Sequence, residues 1–231
     1  MTSLAFAMPD PTLDTSGIVP PPSNLDSDEP EMESYVHLTQ MIVLLQSLEF
    51  FWKDRLDFFA AGNLTVYFSP RQVKSEHFRG PDFFVVLGSD RRPRKSWTVW
   101  EEDGRYPNII VEILSASTEA IDRGLKKQIY QDIFRTPDYF WFDPETHELV
   151  GFHLVDGRYE PLVSDPGGRL WSAQLGLFLA VHEGTLRLFT PEGALLPAAK
   201  ELAQQVETAE RRSTLLAAKL RELGVDPDSV K

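Results

Sequence analysis

Two short apolar runs, each carrying one acid, constrain the fold more than any other feature of the sequence. The first run is Asp82–Leu87, and the second is Ile109–Leu114 with Glu112 inside it. Both are rich in β-branched and aromatic residues and are bounded by Gly, Pro, Asn or Ser, which is typical of buried strands. A carboxylate inside a buried strand is costly unless it has a partner. If the two strands are neighbours, a divalent cation bound by both acids would be that partner.

The composition excludes several other kinds of site. The 231-residue chain has no Cys, which rules out disulfides, thiolate zinc sites and cysteine nucleophiles. Its five His residues show no paired spacing typical of zinc, and it lacks both a Walker-type phosphate loop and a Gly-x-Ser-x-Gly elbow. No segment reaches the ~18 apolar residues of a membrane span, and the N-terminus does not resemble a signal peptide. We therefore expect a cytoplasmic protein with no membrane partner.

The chain divides into three predicted parts. Residues 1–33 form an acidic, Pro-rich tail that we expect to be disordered. Residues 34–192 form the main domain. Residues 193–231 contain a heptad seam from Leu195 to Leu223, in which apolar or small residues alternate spacings of four and three. Two interpretations of this seam stay open, a coiled-coil homodimer through residues 195–223 and a long helix that folds back on its own domain.

Within the main domain the pattern predicts a mixture of helices and strands. A first helix is expected over 35–53 and a strand over 64–69, followed by the two strands that carry the acids. A second helix is expected over 121–134, with Ile121, Leu125, Ile129 and Ile133 as its apolar stripe. A strand is expected over 139–142. The later short strands, predicted to extend the sheet in antiparallel fashion, lie at 149–154, 159–163, 170–171, 177–181 and 186–189.

The net charge of −12 argues at first against a nucleic-acid partner. However, residues 1–52 contain eight acids and no Lys or Arg, so the remaining chain is nearly balanced. Basic residues concentrate around Asp82 in the stretch 71–95. They are Arg71, Lys74, Arg79, Arg91, Arg92, Arg94 and Lys95. A solvated loop and a phosphate-binding surface are both compatible with this pattern.

The order of these elements resembles the core of PD-(D/E)XK nucleases. In that core a mixed sheet is flanked by helices, and two adjacent central strands carry one acid each. More closely, the sequence resembles the Uma-two family of restriction-type endonucleases between about Leu64 and Phe189. The residues that carry this resemblance are Pro81-Asp82, Val111 to Ser115, Ser117-Thr118, Asp122, Lys126 and Tyr130 at intervals of four, and Tyr139 to Pro144.

The resemblance implies an α/β (α+β) restriction-endonuclease-like fold and a metal-dependent DNA endonuclease. Asp82 and Glu112, with the backbone carbonyl of Ile113, would bind Mg²⁺ or Mn²⁺, and a Lys would assist the attacking water. The superfamily pattern expects that Lys two residues after Glu112, where this chain has Leu114. Within the Uma-two group it comes from the following helix, which makes Lys126 the candidate.

Four further residues are candidates for supporting roles around the acids. Lys127 lies next to Lys126 and stays an alternative to it, whereas Glu49, Ser115 and Tyr130 are candidate neighbours of the metal shell. Ordinary packing, capping or surface roles explain these residues equally well.

Two other functions also stay open. The missing Lys at position 114 and the acidic composition favour a catalytically inactive nuclease-fold module that binds nucleic acid or protein, and the acids are alternatively structural ion-pair partners.

Overall fold

The computed structural model describes residues 23–27, 34–69, 78–115, 122–223 and 226–227. Most of the predicted tail, the connection 116–121, Arg71 and Lys74 lie outside these residues. The helices are α1 (Tyr35–Phe51), α2, which consists of the consecutive segments Asp122–Lys126, Lys127–Ile129 and Tyr130–Phe134, and α3 (Ala199–Glu222). The strands are β1 (Phe58–Gly62), β2 (Val66–Tyr67), β3 (Phe78–Arg79), β4 (Phe83–Leu87), β5 (Trp97–Thr98), β6 (Ile109–Ile113), β7 (Asp138–Phe142), β8 (Leu149–Val155), β9 (Arg158–Pro161), β10 (Leu170–Ser172), β11 (Leu177–His182) and β12 (Thr185–Phe189).

A mixed sheet of six strands, in the order β1-β4-β6-β7-β8-β9, forms the centre of the fold. β6 pairs antiparallel with β4 and parallel with β7. A parallel pair needs a crossover connection, and α2 provides it between β6 and β7. The α/β fold class is therefore confirmed.

The pairing of β4 with β6 places the two acids opposite each other. Phe83 lies opposite Val111, and one further step of the same antiparallel register brings Asp82 opposite Glu112. Side chains opposite each other on adjacent strands share one face of the sheet. The prediction that the acid-bearing strands are neighbours is confirmed.

Two apolar layers enclose the central sheet. On one face, α1 and the sheet β10-β11-β12 pack against it through residues such as Leu44, Leu48 and Leu179. On the other face, the core includes Trp97 from the small sheet β3-β2-β5 and Tyr130 from α2. Because successive strand residues point to opposite faces, the acids share the face that α2 covers.

Three predictions about the elements were wrong in part. The strand β1 was not predicted. β8 and β9 extend the central sheet as expected, but β10, β11 and β12 form a separate sheet. In α2, Leu125 and Ile133 are 54% and 46% exposed, whereas Tyr130 and Phe134 are buried. The stripe that faces the sheet includes large aromatic side chains, which bury more apolar surface than Leu or Ile.

Residues 23–27, within the predicted tail, contact the main domain. The Ser96 hydroxyl donates a hydrogen bond of 2.8 Å to the Leu25 carbonyl, and the Tyr67 hydroxyl donates one of 3.0 Å to the Asp26 carbonyl. This short segment therefore lies against the small sheet.

The C-terminal helix α3 begins later than the heptad seam predicted. Leu195 is extended and forms a bridge with Phe189, so it is not helical. Along the helix Val206 and Leu216 are each 56% exposed, and Leu223 at its end is 78% exposed. The domain thus leaves most of the apolar seam uncovered, which contradicts the interpretation that the helix folds back on its own domain. None of the helices in the described ranges has the length and hydropathy needed to span a bilayer.

Candidate active site

Asp82 and Glu112 are held in place by each other's strand. A carboxylate oxygen of Asp82 accepts a hydrogen bond of 2.6 Å from the backbone N–H of Ile113. The backbone N–H of Asp82 in turn lies 3.4 Å from a carboxylate oxygen of Glu112. Glu112 is fully buried, whereas the Asp82 side chain is 18% exposed. One acid is therefore enclosed and the other borders the solvent.

Helix α2 supplies two polar partners to the buried Glu112. The Lys126 ammonium donates to carboxylate Oε2 at 3.1 Å, and the Tyr130 hydroxyl donates to Oε1 at 2.6 Å. Residues four apart lie on the same side of a helix, so both donors reach the same carboxylate. This pairing offsets the desolvation cost that made an acid in this strand unusual.

The structure distinguishes Lys126 from Lys127. Lys127 points elsewhere, with its ammonium 3.5 Å from the centre of the Phe152 ring, and partial burial lowers the pKa of this amine. Lys126 is therefore the lysine at the acids. Ser115 lies two residues after the end of β6 and is half-buried.

The burial of position 114 explains why this chain has Leu there instead of the expected Lys. Leu114 is 4% exposed and belongs to the apolar cluster beneath α2. An ammonium at this position would enter that apolar layer at a high desolvation cost.

His37 belongs to the site, although it is not among the site residues predicted from the sequence. Its Nε2–H donates a hydrogen bond to the Ile113 carbonyl, and Nε2 lies 3.9 Å from Asp82 Oδ2. The Ser34 side chain caps the helix by accepting from the His37 backbone N–H at 3.2 Å, which fixes the first turn of α1. A signal was present in the sequence, since His37 precedes the buried Met41 and Leu44 at helical spacing.

Glu49, by contrast, does not lie at the site. It forms an ion pair with Arg91. Twelve residues separate it from His37 on the same helix, which corresponds to about 18 Å along the axis. The expectation that Glu49 neighbours the metal shell is therefore wrong.

The basic residues around Asp82 are largely engaged with acids of the same chain. Arg94 is 4% exposed and contacts Glu102 at 2.6 Å and Asp90 at 2.7 Å. Arg92 also reaches Glu102, at 2.8 Å, and Lys95 lies 3.1 Å from Asp26. Arg94 thus has a structural role. The side chain of Arg79 lies outside the described part of the structure.

The oxygen atoms at the site match the ligand preference of a hard divalent cation. The Asp82 and Glu112 carboxylates and the Ile113 carbonyl lie where β4 begins and β6 ends. Mg²⁺ commonly binds one or two carboxylates in proteins while it keeps several waters. Within the described ranges, no three His, Asp or Glu side chains are arranged to hold a metal ion. A cation here would therefore depend on the two acids, the carbonyl and water.

A second polar cluster contains Ser, His and Asp but does not form a nucleophilic triad. The Ser172 hydroxyl donates to Asp138 at 2.6 Å, and His153 Nδ1 lies 2.7 Å from the other oxygen of the same carboxylate. In a catalytic triad the His contacts the Ser, whereas here both contact the Asp. The backbone N–H of Gln174 also donates to Asp138, at 2.9 Å, so the cluster links β10 and its following turn to the central sheet.

Comparison with known proteins identifies the family. The Uma2 family model, described as "Putative restriction endonuclease", matches residues 30–196, which is well over half of the chain. The chain belongs to the Uma2 family. The Uma2 assignment confirms the resemblance drawn from the sequence motifs and gives the chain a restriction-endonuclease-like, nuclease-type classification.

Two individual proteins are also similar to this Uma2 chain. "Uncharacterized protein slr1290" of Synechocystis is 34% identical over 110 residues, which are 47% of this chain and 55% of the relative. The chain thus spans just over half the length of that relative. The crystal structure of a "putative nuclease belonging to DUF820" from Anabaena variabilis has 16% identity and a TM-score of 0.43, covering 60% of this chain and 76% of that one.

Proposed function

We propose that this Uma2 protein is a metal-dependent endonuclease that hydrolyses phosphodiester bonds of DNA in the cytoplasm. The observation that carries the proposal is the arrangement of Asp82 opposite Glu112, with the Lys126 ammonium 3.1 Å from the Glu112 carboxylate. Membership of the Uma2 family supports a nuclease function for this chain. The DNA substrate, the metal and the individual roles are part of the proposal.

Asp82, Glu112 and the Ile113 carbonyl are the residues that would hold Mg²⁺ or Mn²⁺. When bound, such an ion lowers the pKa of a coordinated water and stabilises negative charge on a phosphate. Lys126 orients the attacking water beside the carboxylate and offsets charge that develops on the scissile phosphate. Each of these roles uses a group that the fold already brings to the ends of β4 and β6.

Tyr130 and His37 act as positioning residues. Tyr130 fixes Oε1 of Glu112 at 2.6 Å, so the carboxylate has a defined orientation. His37 contacts the Ile113 carbonyl from α1, and this contact links the first helix to the end of β6. Loss of either contact is expected to weaken metal binding and activity together, because outer contacts orient metal ligands.

A cleavage assay across several substrates tests the proposal. Supercoiled, linear and single-stranded DNA and RNA are incubated with the protein and Mg²⁺ or Mn²⁺. Glu112→Gln and Lys126→Met should each lower the cleavage rate by about 100-fold or more. Glu49→Gln, a remote acid on α1, is the matched control and should retain activity. Cleavage that survives Glu112→Gln unchanged would contradict the assignment.

The second candidate function is a catalytically inactive nuclease-fold module that binds nucleic acid or protein and dimerises through α3. The full burial of Glu112 between Lys126 and Tyr130 favours it, because these contacts also satisfy the carboxylate without a metal. Calorimetric titration with Mg²⁺ and Mn²⁺ separates the two functions. Binding that Asp82→Asn abolishes supports the enzyme, and no binding supports the inactive module.

A further inference from the structure

A polar cleft lies on the outer side of α2, where the helix meets the turn between β8 and β9. Its volume is about 640 Å³. The lining residues are polar, charged or glycine. They are Gly124, Lys127, Gln128, Gln131, Asp132, Arg135, Asp156, Gly157 and Arg158. The cleft is thus formed by α2, which also carries Lys126, and by a turn at the opposite end of the sheet from Glu112.

The three cations of this cleft differ from the basic residues around Asp82. Lys127, Arg135 and Arg158 form no ion pair with any carboxylate in the part of the chain that the structure describes. Arg92 and Arg94, in contrast, each contact two acids. A cation that is not neutralised by its own protein retains its attraction for an external anion.

The acids of the cleft only partly reduce this positive charge. Asp132 and Asp156 also line it, which leaves one formal positive charge locally in a chain whose net charge is −12. Asp132 accepts a hydrogen bond of 2.7 Å from the Gln131 side chain. The Arg135 guanidinium lies beside Gly157 in this turn. A side chain at position 157 would meet it, because an added Cβ would be 3.0 Å from a guanidinium nitrogen.

The cleft adjoins the catalytic candidates through α2. Consecutive helical residues point about 100° apart, so Lys126 reaches Glu112 while Lys127 borders the cleft. Lys127 and Arg135 are eight residues apart, which is about two turns of helix. Successive phosphates of a nucleic-acid strand can contact a row of cations of this length, whereas a single small anion would not reach all of them.

We propose that this cleft binds the phosphate backbone of nucleic acid along α2, from beside Lys126 towards the opposite end of the sheet. The inference rests on the proposed function for its substrate class. It assigns backbone contact to Lys127, Arg135 and Arg158, rather than to the basic stretch around Asp82. Gln128 and Gln131 add amide groups to the same surface.

The test is a binding measurement that does not depend on cleavage. Arg135→Gln with Arg158→Gln is compared with Arg212→Gln with Arg221→Gln, two exposed cations on α3 whose loss changes the net charge equally. Fluorescence anisotropy with a labelled duplex and a labelled single strand, in Ca²⁺ and over a salt series, gives the affinity. Circular dichroism and thermal unfolding verify that both double variants fold.

The cleft variant should bind duplex roughly tenfold or more weakly at low salt, and its slope of log affinity against log salt should fall by about two. The α3 variant should bind as the wild type does. Equal losses in both variants would indicate a net-charge effect and would overturn the inference, as would unchanged binding by the cleft variant or no binding by the wild type. Binding through the cleft without any cleavage would leave the inference standing and refute the endonuclease.

Discussion

The Lys126→Met substitution tests the electrostatic basis of the site most directly. It removes an ammonium 3.1 Å from a fully buried carboxylate, while Met preserves most of the apolar stem. Removing one partner of a buried ion pair costs about 3–5 kcal/mol. The Lys126 side chain is 16% exposed, so solvent screening should reduce this cost to about 2–3 kcal/mol. For a chain of this size that corresponds to a fall in Tm of about 4–12 °C.

Divalent cations should partly reverse this loss. A ligand present at 100 times its Kd stabilises the folded state by about 2.7 kcal/mol. In Lys126→Met a cation at the proposed metal site would also supply the positive charge that the substitution removed from Glu112. The Tm increase on adding Mg²⁺ should therefore be larger in the variant than in the wild type.

Differential scanning calorimetry with and without MgCl₂, at constant ionic strength, measures both effects. Lys127→Met is the matched control, because it removes the neighbouring ammonium that contacts Phe152 instead of the acids. Glu112→Gln combined with Lys126→Met should be more stable than Lys126→Met alone and should lose the Mg²⁺ response. The reasoning is refuted if Lys126→Met is as stable as the wild type, or if Mg²⁺ stabilises the Glu112→Gln protein as strongly.

Three further predictions concern the scaffold. Asp138→Asn should lower the free energy of unfolding, measured by urea titration, by about 1–3 kcal/mol. The Ser172 hydroxyl and the Gln174 backbone N–H both donate to one Asp138 oxygen, and the substitution puts a donor amide in the carboxylate's place. An unchanged urea midpoint would contradict this. Arg94→Gln should lower the free energy of unfolding by about 3 kcal/mol in the same titration, since it leaves the buried Glu102 without its closest cation. The same substitution should leave the salt dependence of DNA binding unchanged. Light scattering should detect a wild-type dimer formed through α3. Leu216→Glu should convert it to a monomer, because a charge would interrupt the exposed apolar seam. A monomeric wild type would refute this prediction.

The sequence alone determined the central strands and the candidate acids. Asp82 and Glu112 stand out because an acid inside a β-branched, aromatic run is locally anomalous, and local composition is visible without a fold. The helix before β7 was also predictable, since the stretch has apolar residues at helical spacing and ends before a Pro. The length of α3 follows in the same way from its heptads, although its first turn was placed too early.

Only the tertiary structure decided which side chains meet. Lys126 and Lys127 are neighbours in sequence, and the orientation of α2 on the sheet alone directs one to Glu112 and the other to Phe152. His37 is 76 residues from the carbonyl that it contacts. Glu49 pairs with Arg91 at the far end of the same helix. Such contacts depend on packing and charge pairing between distant segments, whereas spacing in the sequence specifies only neighbours within one element.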